Sequence, residues 1–255
     1  MKCTYNNVYL YNGDCRNVFK GIDSESVDLL VTDCPYKTIS GGVKTPKGGI
    51  FLTREAKAGK MFRHNDIEFS EWLPEVYRVL KQGTHAYIMV NERNIAKLQA
   101  DAEKCGFKLV NILVWEKNTV TPNRYYMKQT EYILMLRKGP ARTINNPGTS
   151  NVIKVKNIVG NKTHPTEKPV ELLKVLIENS SNAGDIVLDP FMGTGSTGEA
   201  CIQAGRKFIG IEIDPEYYNI AENRLAVSRI ALKEKYDSRS IKRSSRGSSK
   251  DGYER

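Results

Sequence analysis

The amino-acid sequence predicts an α/β domain built around a mixed, mostly parallel β-sheet. Short runs rich in β-branched and aromatic residues alternate with helical patterns between residues 7 and 232, as in domains whose strands are joined by helices. A glycine-rich turn follows one of the last strands, at residues 189–198, whereas nucleotide-binding sheets carry such a turn after their first strand. The sheet is therefore predicted to be a circularly permuted nucleotide-binding sheet, with its other strands supplied by the N-terminal half.

Seven segments of strand-forming residues follow one another along the chain. Each is bounded by polar or turn-forming residues, and the 255 residues suffice to bury the core of one large domain. The predicted strands lie at residues 7–11, 27–32, 84–90, 109–115, 131–136, 185–189 and 207–213. Together they predict a seven-stranded sheet.

Apolar residues at helical spacing predict helices between several of these strands. One stripe stops at Gly83 and comprises Trp72, Leu73, Val76, Tyr77 and Leu80. Another follows Pro169, a favourable residue for the first turn of a helix, and comprises Leu172, Leu173, Leu176 and Ile177. Both stripes are expected to face the core. A last helix is predicted at residues 215–232.

Two basic segments account for the whole net charge of +10. Residues 37–65 contain seven Lys and Arg against the single acidic residue Glu55, and residues 233–255 contain eight against four. The first segment has five glycines and no sustained period, which predicts a mobile loop. The second is rich in Ser, Arg and Lys and is predicted to be a disordered tail. Such segments suit a polyanionic partner, most simply nucleic acid, although a merely solvated tail has the same composition.

Other features of the composition exclude several classes of protein. No apolar run is long enough to cross a bilayer and the N-terminal residues do not resemble a signal peptide, so a cytoplasmic protein without a membrane partner is expected. The five cysteines are scattered without a CxxC pair, and only three histidines accompany them. Neither a disulfide framework nor a metal site is therefore predicted.

The glycine-rich turn belongs to the stretch DIVLDPFMGTGSTGEACIQAGRKFIGIEID. Gly193, Gly195 and Gly198 have the spacing of a dinucleotide-binding fingerprint, and Glu212 ends the next strand about 20 residues on. NAD is one candidate ligand on this evidence. Against NAD, only one helix and the tail follow Glu212, whereas a dinucleotide-binding domain continues through further strands after its acidic residue.

The residues around this turn favour a ligand with a ribose and a positive charge. Glu212 can accept two hydrogen bonds from ribose hydroxyls, and glycines let the backbone approach a ligand closely. Asp189 adds a carboxylate beside the turn, which favours an ammonium or sulfonium group over a pyrophosphate. S-adenosylmethionine has a ribose, an ammonium and a sulfonium, so it fits better than NAD. A turn that serves only strand-to-helix packing is the alternative.

A second candidate site follows the strand at residues 27–32, where the sequence reads DCPY. Asp33 can accept a hydrogen bond from an amine, and Pro35 biases Cys34 to an extended conformation that aims its carbonyl as a second acceptor. Two acceptors on one amine draw its nitrogen towards a tetrahedral, nucleophilic state. Tyr36 can stack on a planar base. Taken alone, the tetrapeptide is also compatible with an ordinary turn.

Five segments resemble, in their order, those of amino-group DNA methyltransferases of the β arrangement, in which the catalytic half precedes the cofactor half. DCPY resembles the catalytic (D/N/S)PPY tetrapeptide, and HPTEKP at residues 164–169 resembles the segment before the cofactor half. DPFMGTGSTGEA resembles the FxGxG cofactor loop, and GIEID the ribose-binding strand end. NGDC at residues 12–15 resembles the motif that contacts the adenine of the cofactor. The five segments span nearly all of residues 8–232.

The resemblance implies a Rossmann-like, S-adenosylmethionine-dependent methyltransferase fold. It implies a methyltransferase domain at residues 1–232, with a catalytic half at 1–137, a small target-recognition insert at 138–163 and a cofactor half at 164–232. Catalytic roles are implied for Asp33, Cys34, Pro35 and Tyr36. Cofactor contacts are implied for Asp14, Cys15, His164, Lys168, Asp189, Phe191, Gly193, Thr194, Gly195 and Glu212.

Several of these residues have a second interpretation. Asp14 also fits an ordinary helix cap, Lys168 a surface lysine, and His164 a structural hydrogen-bonding residue. Cys34 stands where the family usually has proline, which leaves Asp33 less restricted in conformation.

The implied reaction is methylation of the N6 amine of adenine in DNA, because Asp at the first position of the tetrapeptide usually accompanies adenine. A paired base cannot reach such a site, so the implied partner is double-stranded DNA with a flipped base, or single-stranded DNA. The loop at residues 37–65 is expected to order on DNA. Cytosine N4, RNA and a protein amide are alternative acceptors, and a non-catalytic DNA-binding protein is the alternative of another class. The sequence does not choose between a monomer and a homodimer.

Overall fold

The structure is a computed structural model that describes residues 2–5, 7–36, 66–122, 125–140, 142–158 and 167–247. The basic segment at residues 37–65, His164 and the last eight residues lie outside the described ranges. No helix within those ranges is both long and apolar enough to cross a membrane.

In the described part of the chain, nine strands form one sheet. They are β1 (Lys2–Tyr5), β2 (Val8–Asn12), β3 (Val27–Asp33), β4 (Leu80–Val90), β5 (Lys108–Thr121), β6 (Lys128–Arg137), β7 (Val152–Lys154), β8 (Ile186–Asp189) and β9 (Lys207–Glu212). Their order across the sheet is β1-β2-β9-β8-β3-β4-β6-β5-β7. Strands β2, β9, β8, β3 and β4 run parallel, and β6 is antiparallel to β4 and to β5.

This strand order confirms the predicted fold class. The two strands nearest the C-terminus, β8 and β9, lie between β2 and β3. The centre of the sheet is therefore built from both ends of the chain, as a circular permutation requires.

Helices cover both faces of the sheet. Within the described residues they are α1 (Cys15–Val18), α2 (Leu73–Val79), α3 (Ile95–Lys104), α4 (Val170–Ser180), α5 (Ser196–Gln203) and α6 (Pro215–Gly247), with 3-10 turns at Phe19–Gly21 and Phe69–Glu71. Successive residues of β3 alternate between two core clusters, because side chains along a strand point to opposite faces. Leu29 and Val31 pack with α4, α5 and α6, whereas Leu30 packs with α2 and α3.

The predicted count of seven strands is wrong by two. Strands β1 and β7 pair with the outer strands of the predicted set, and β7 falls within the segment interpreted as a target-recognition insert. They have four and three residues respectively. Segments this short do not show the alternation by which a strand is recognised in sequence.

The last helix also differs from the prediction. It continues to Gly247 instead of ending at residue 232, so residues 233–247, assigned by sequence to a disordered tail, are helical. No proline or glycine lies between Pro215 and Gly247. The high charge of this segment predicted disorder, but nothing in it interrupts a helix that has already begun.

Candidate active site

The candidate residues lie where the carboxyl ends of the parallel strands meet. Strand β3 ends at Asp33 and pairs with β8, which ends at Asp189. Strand β9 ends at Glu212 and pairs with β8 on its other side. The structure thus brings the DCPY segment and the glycine-rich turn, more than 150 residues apart in sequence, to one edge of the sheet. Ligands of open α/β sheets bind at such an edge, next to a point where the strand order reverses.

Asp33 forms an ion pair with Lys168 across this edge. The distance from Lys168 Nζ to Asp33 Oδ2 is 2.5 Å. A second carboxylate, that of Glu131 at the start of β6, lies 3.4 Å from the same ammonium. Lys117 on β5 contacts the other oxygen of Glu131 at 3.1 Å. Two lysines and two carboxylates therefore form one charge network beside the end of β3.

Burial and charge oppose each other in this network. Burial raises the pKa of Asp33, and the positive charge of Lys168 acts in the opposite direction. For Lys168, burial lowers the pKa, but the charges of Asp33 and Glu131 outweigh that effect and raise it. Lys168 is thus a buried, charged lysine and not the surface lysine that the sequence left open. Its charge favours the ionised form of Asp33.

Cys34, Pro35 and Tyr36 continue from Asp33 out of the sheet. The thiol of Cys34 points into the core and donates a weak hydrogen bond to the carbonyl of Met89, at 3.7 Å. Pro35 is half-buried. Tyr36 is half-buried as well, and its ring lines a surface pocket with Ile67, Glu68, Phe69, Asn94 and Lys97. Burial raises the pKa of the Tyr36 phenol, which keeps the ring neutral.

Asp189 has its oxygens occupied by protein donors. Oδ1 accepts from the hydroxyl of Thr32 at 2.7 Å and from the N–H of Phe191 at 3.1 Å. Oδ2 accepts from the hydroxyl of Thr197 at 2.7 Å. Burial raises the pKa of this carboxyl to about 6, against the effect of these hydrogen bonds. Asp189 thus joins the start of the glycine-rich turn to β3 and α5, and a direct contact with a ligand stays a prediction.

Two glycines of the turn have conformations that other residues avoid. Gly193 has φ +52° and Gly195 has φ +85°. A Cβ atom at Gly193 would meet no atom within 4 Å, so its backbone faces open space. At Gly195 it would lie 3.0 Å from the Cβ of Ala221, so this glycine lets α6 approach. Thr194 between them is buried. Gly193 is therefore the position at which a ligand can approach the backbone.

Glu212 is held rigidly below this turn. Its Oε2 accepts from the N–H of Gly193 at 3.0 Å, and its Oε1 accepts from the N–H of Asp214 at 2.8 Å. A carboxylate offers about four acceptor positions, so both oxygens can still accept hydroxyl groups. Burial raises the pKa of Glu212.

Asp14 caps the short helix α1, as one of its two interpretations predicted. Its Oδ1 accepts from the N–H of Arg16 at 2.9 Å, and the guanidinium of Arg16 contacts both carboxylate oxygens. The hydrogen bonds from Arg16 lower the pKa of Asp14. Cys15 is buried, and burial raises the pKa of its thiol to about 12. Because Gly13 N–H donates to the carbonyl of Glu212, this segment lies next to the end of β9.

Phe191 closes the crevice on the side of α2. Its ring meets the edge of Trp72 with centroids 5.2 Å apart. The indole N–H of Trp72 is buried without an acceptor among the described residues. Trp72 is fully buried, so it supports Phe191 from the core side.

Sequence reasoning missed three contributors to the site. Glu131 and Lys117 belong to no motif, and the pairing of β6 with β4 and with β5 brings them to Lys168. Arg224 on α6 forms ion pairs with Glu167 at 2.6 Å and with Glu199 at 2.5 Å. It therefore fixes the residue that precedes Lys168. An acidic residue near the start of a strand that begins beside DCPY is the one signal that could have indicated Glu131.

The residues present fit S-adenosylmethionine. An open glycine backbone at Gly193, a fixed carboxylate at Glu212 and a buried ammonium at Lys168 match the methionine part, the ribose and the carboxylate of that molecule. No group of three or more metal-ligating side chains occurs in the described ranges. The position of His164 at the site stays a prediction, because that residue is not described.

Comparison with known proteins identifies the family. A family model described as DNA methylase matches residues 27–223. Type II methyltransferase M2.DpnII of Streptococcus pneumoniae is 31% identical over 243 residues, covering 86% of this chain and 90% of that protein. The solved M1.HpyAVI–SAM complex is 27% identical, with a TM-score of 0.66 and coverage of 86% and 100%. A putative DNA modification methylase from Thermus thermophilus, TTHA0409, complexed with S-adenosyl-L-methionine, is 27% identical, with a TM-score of 0.62 and coverage of 86% and 93%.

The family model spans the DCPY segment, the glycine-rich turn and the strands between them. The family model and these relatives confirm the resemblance that the ordered motifs predicted. The chain belongs to the DNA methylase family.

Proposed function

We propose that this protein transfers a methyl group from S-adenosylmethionine to the N6 amine of an adenine in DNA. The observation that carries the proposal is the position of Asp33. Its carboxylate lies at the end of β3, beside the glycine-rich turn that follows β8, and contacts a buried ammonium at 2.5 Å. Family membership supports the reaction class, and this geometry supports the roles that we propose for the residues.

Three groups of this chain would hold the cofactor. The carboxylate of Glu212 would accept the ribose hydroxyls, the open backbone at Gly193 would admit the methionine part, and the ammonium of Lys168 would attract the carboxylate of the cofactor. Phe191 supplies an apolar wall, stabilised by its edge-on contact with Trp72. When bound, S-adenosylmethionine supplies a methyl group activated by the positive charge on sulfur.

Asp33 prepares the target amine. A carboxylate that accepts a hydrogen bond from the amine favours a tetrahedral nitrogen whose lone pair is free to react, and the Cys34 carbonyl is the second acceptor. Asp33 must be ionised to do this, and the charge of Lys168 opposes the effect of burial on its pKa. Catalysis then depends on orientation and on acceptors placed in advance, with no covalent enzyme intermediate.

The ring of Tyr36 holds the base. It is half-buried at the mouth of a pocket, next to Ile67 and Phe69, so one face of a planar base can lie against an aromatic surface. A base reaches this position only from a single strand or after flipping out of a duplex. We therefore propose an extrahelical adenine as the reacting form.

Mass spectrometry of the modified bases tests the proposal directly. DNA incubated with the protein and deuteromethyl-labelled S-adenosylmethionine is digested to nucleosides and separated. Labelled N6-methyl-2′-deoxyadenosine is expected, at a rate that depends on Asp33. Labelled N4-methyl-2′-deoxycytidine would show that cytosine and not adenine is the acceptor, and absence of label from DNA despite cofactor binding would overturn the proposal.

The flipped base has its own test. The fluorescence of 2-aminopurine rises when this base leaves the stack, so a duplex with 2-aminopurine at the target position is expected to brighten on binding. A matched duplex with the analogue ten base pairs away serves as the control. Equal brightening of both duplexes would contradict a specific extrahelical base.

A further inference from the structure

Four large apolar side chains are exposed together at the end of the β5–β6 hairpin. Tyr125 is 81% exposed, Tyr126 is 88% exposed, and Met127 and Val120 are at least half-exposed. The hairpin ends in residues 122–127, of which 123 and 124 are not described. We call residues 125–127 the hairpin tip. Exposed apolar residues that are clustered rather than scattered mark interaction surfaces.

The hairpin tip lies beyond the edge of the sheet at which the proposed catalytic residues lie. Strand β6 pairs with the end of β4 through Tyr132 and Val90, and Glu131 beside it lies 3.4 Å from Lys168. From Tyr132 the strand continues outward to Lys128, a rise of roughly 13 Å for four residues. The ion pair of Lys128 with Glu92 holds this extension against the segment that follows β4. The hairpin tip therefore projects beyond the edge at which Asp33 lies.

The chemistry of the hairpin tip suits nucleobases. Every base presents an aromatic face, and base stacking on aromatic side chains is tolerant of sequence. Cationic residues flank the tyrosines in the sequence, at Arg124 and Lys128. Cations beside exposed aromatic rings favour a polyanion over a neutral protein partner at such a surface.

We propose that the hairpin tip is a stacking surface for the nucleobases next to the target base, with Tyr125 and Tyr126 as the stacking rings and Met127 as an adjoining apolar contact. This inference rests on the proposed function. It assigns a binding surface to the nucleotides that lie outside the pocket for the target base. In a duplex the rings fill the space left by the flipped base, and in a single strand they hold its neighbours. Both cases use the same aromatic faces.

Binding of a fluorescent oligonucleotide to matched variants tests the proposal. The double variant Tyr125→Ala with Tyr126→Ala is expected to bind single-stranded and duplex DNA about 10- to 100-fold more weakly than the wild type. The double variant with Phe at both positions keeps the rings and is expected to bind within about twofold. Val110→Ala, at the opposite end of β5 and also exposed, is the control. Its binding should not change.

The salt dependence separates stacking from charge. Loss of stacking releases no additional counterions, so the slope of log affinity against log salt is expected to be equal in the Ala variant and the wild type. Affinity for S-adenosylmethionine and the midpoint of thermal unfolding should also be unchanged, since both tyrosines are exposed.

Three outcomes would overturn this inference. Binding of the Ala variant within twofold of the wild type would do so, and so would a weak Phe variant. A change of oligomeric state in the Ala variant with unchanged DNA affinity would assign the hairpin tip to contacts between copies of the chain. Failure of the proposed function looks different, because the wild type would then bind oligonucleotides through the hairpin tip and methylate no base.

Discussion

Two aspartates end neighbouring strands of the sheet, and their surroundings differ. Asp189 at the end of β8 is 2% exposed and accepts hydrogen bonds from Thr32, Thr197 and the backbone of Phe191. The side chain of Asp33 at the end of β3 is 26% exposed, and its contact is with the flexible side chain of Lys168. One carboxylate is fixed by short, neutral donors, and the other is paired with a single cation at the edge of the crevice.

This difference assigns the two residues different tasks. A carboxylate surrounded by protein donors stabilises the backbone around it, and here that backbone is the start of the glycine-rich turn. A carboxylate with one charged partner can exchange that partner for a substrate amine when the cation has another anion to bind. Equal residue type and equal position at a strand end thus do not predict equal function.

The largest expected effect is on turnover, from Asp33→Ala. This change removes an acceptor at the reacting amine, and loss of one such group typically lowers kcat by about 10²- to 10³-fold. The dissociation constant of S-adenosylmethionine should change by less than about threefold. Single-turnover methylation and calorimetric titration measure the two quantities. An equal loss in both would mean that Asp33 holds the cofactor instead of the amine.

Asp189→Ala tests the other member of the pair and should act on stability. Two buried hydroxyls and one N–H lose their acceptor, so the free energy of unfolding is expected to fall by about 2–4 kcal/mol. Urea unfolding followed by circular dichroism measures the change. Asp23→Ala, at an exposed position, is the matched control and should change stability by less than about 0.5 kcal/mol. A stable Asp189→Ala variant that lacks cofactor binding would reverse the comparison.

The pH dependence of stability sharpens the same contrast. The pKa of Asp189 is raised to about 6 in the folded protein, whereas the pKa of an aspartate in the unfolded chain is about 3.9. Between these values the folded state binds the additional proton, so the contribution of this group is fully present below the unfolded pKa and is lost as the pH rises through the folded pKa. The stability of the wild type relative to Asp189→Asn should therefore decrease by up to about 3 kcal/mol from pH 4 to pH 7.

Unfolding curves of both proteins at each pH provide the measurement. A titration of the Asp189 carboxyl carbon by NMR supplies the pKa independently. A constant difference in stability across this range, or an apparent pKa near 4, would contradict the effect of burial on this residue.

The smallest expected effect comes from Glu131→Gln, which removes the second anion from Lys168. With one carboxylate lost, the ammonium is held more strongly by Asp33, which is then less free to accept a hydrogen bond from the target amine. The kcat is expected to fall about 3- to 10-fold, with a smaller change in the KM for S-adenosylmethionine. Glu116, which contacts the exposed Lys154 instead, supplies the control variant Glu116→Gln. A rise in KM at constant kcat would place Glu131 in cofactor binding instead.

The central strands and the edge at which the site lies could be predicted from sequence, because their signals are local. Strands β3, β8 and β9 each contain a continuous apolar run, and the turn after β8 has glycines at a fixed spacing. A circular permutation followed from the position of that turn alone. The pairing of Asp33 with the glycine-rich turn needed only the rule that parallel strands end at one edge.

What the sequence could not supply are contacts that depend on distant residues. The hydrogen bond from Thr32 to Asp189 joins positions 157 residues apart. Without knowledge of this bond, the sequence favours a carboxylate that contacts the ligand. Glu131 reaches Lys168 only through the register of β6 against β4. The two edge strands and the extension of α6 likewise depend on neighbours or on propagation of an existing helix, which a local pattern does not contain.

The orientation of Cys34 has a consequence for chemical labelling. Its sulfur lies inside the core against the Met89 carbonyl, and burial raises the pKa of the thiol well above its usual range. A maleimide or iodoacetamide reacts with an accessible thiolate, so these reagents should not modify Cys34 in the native enzyme, although this cysteine stands in the tetrapeptide proposed to be catalytic. Modification of Cys34 would instead report the opening of the strand end, which makes this side chain a built-in probe of local unfolding.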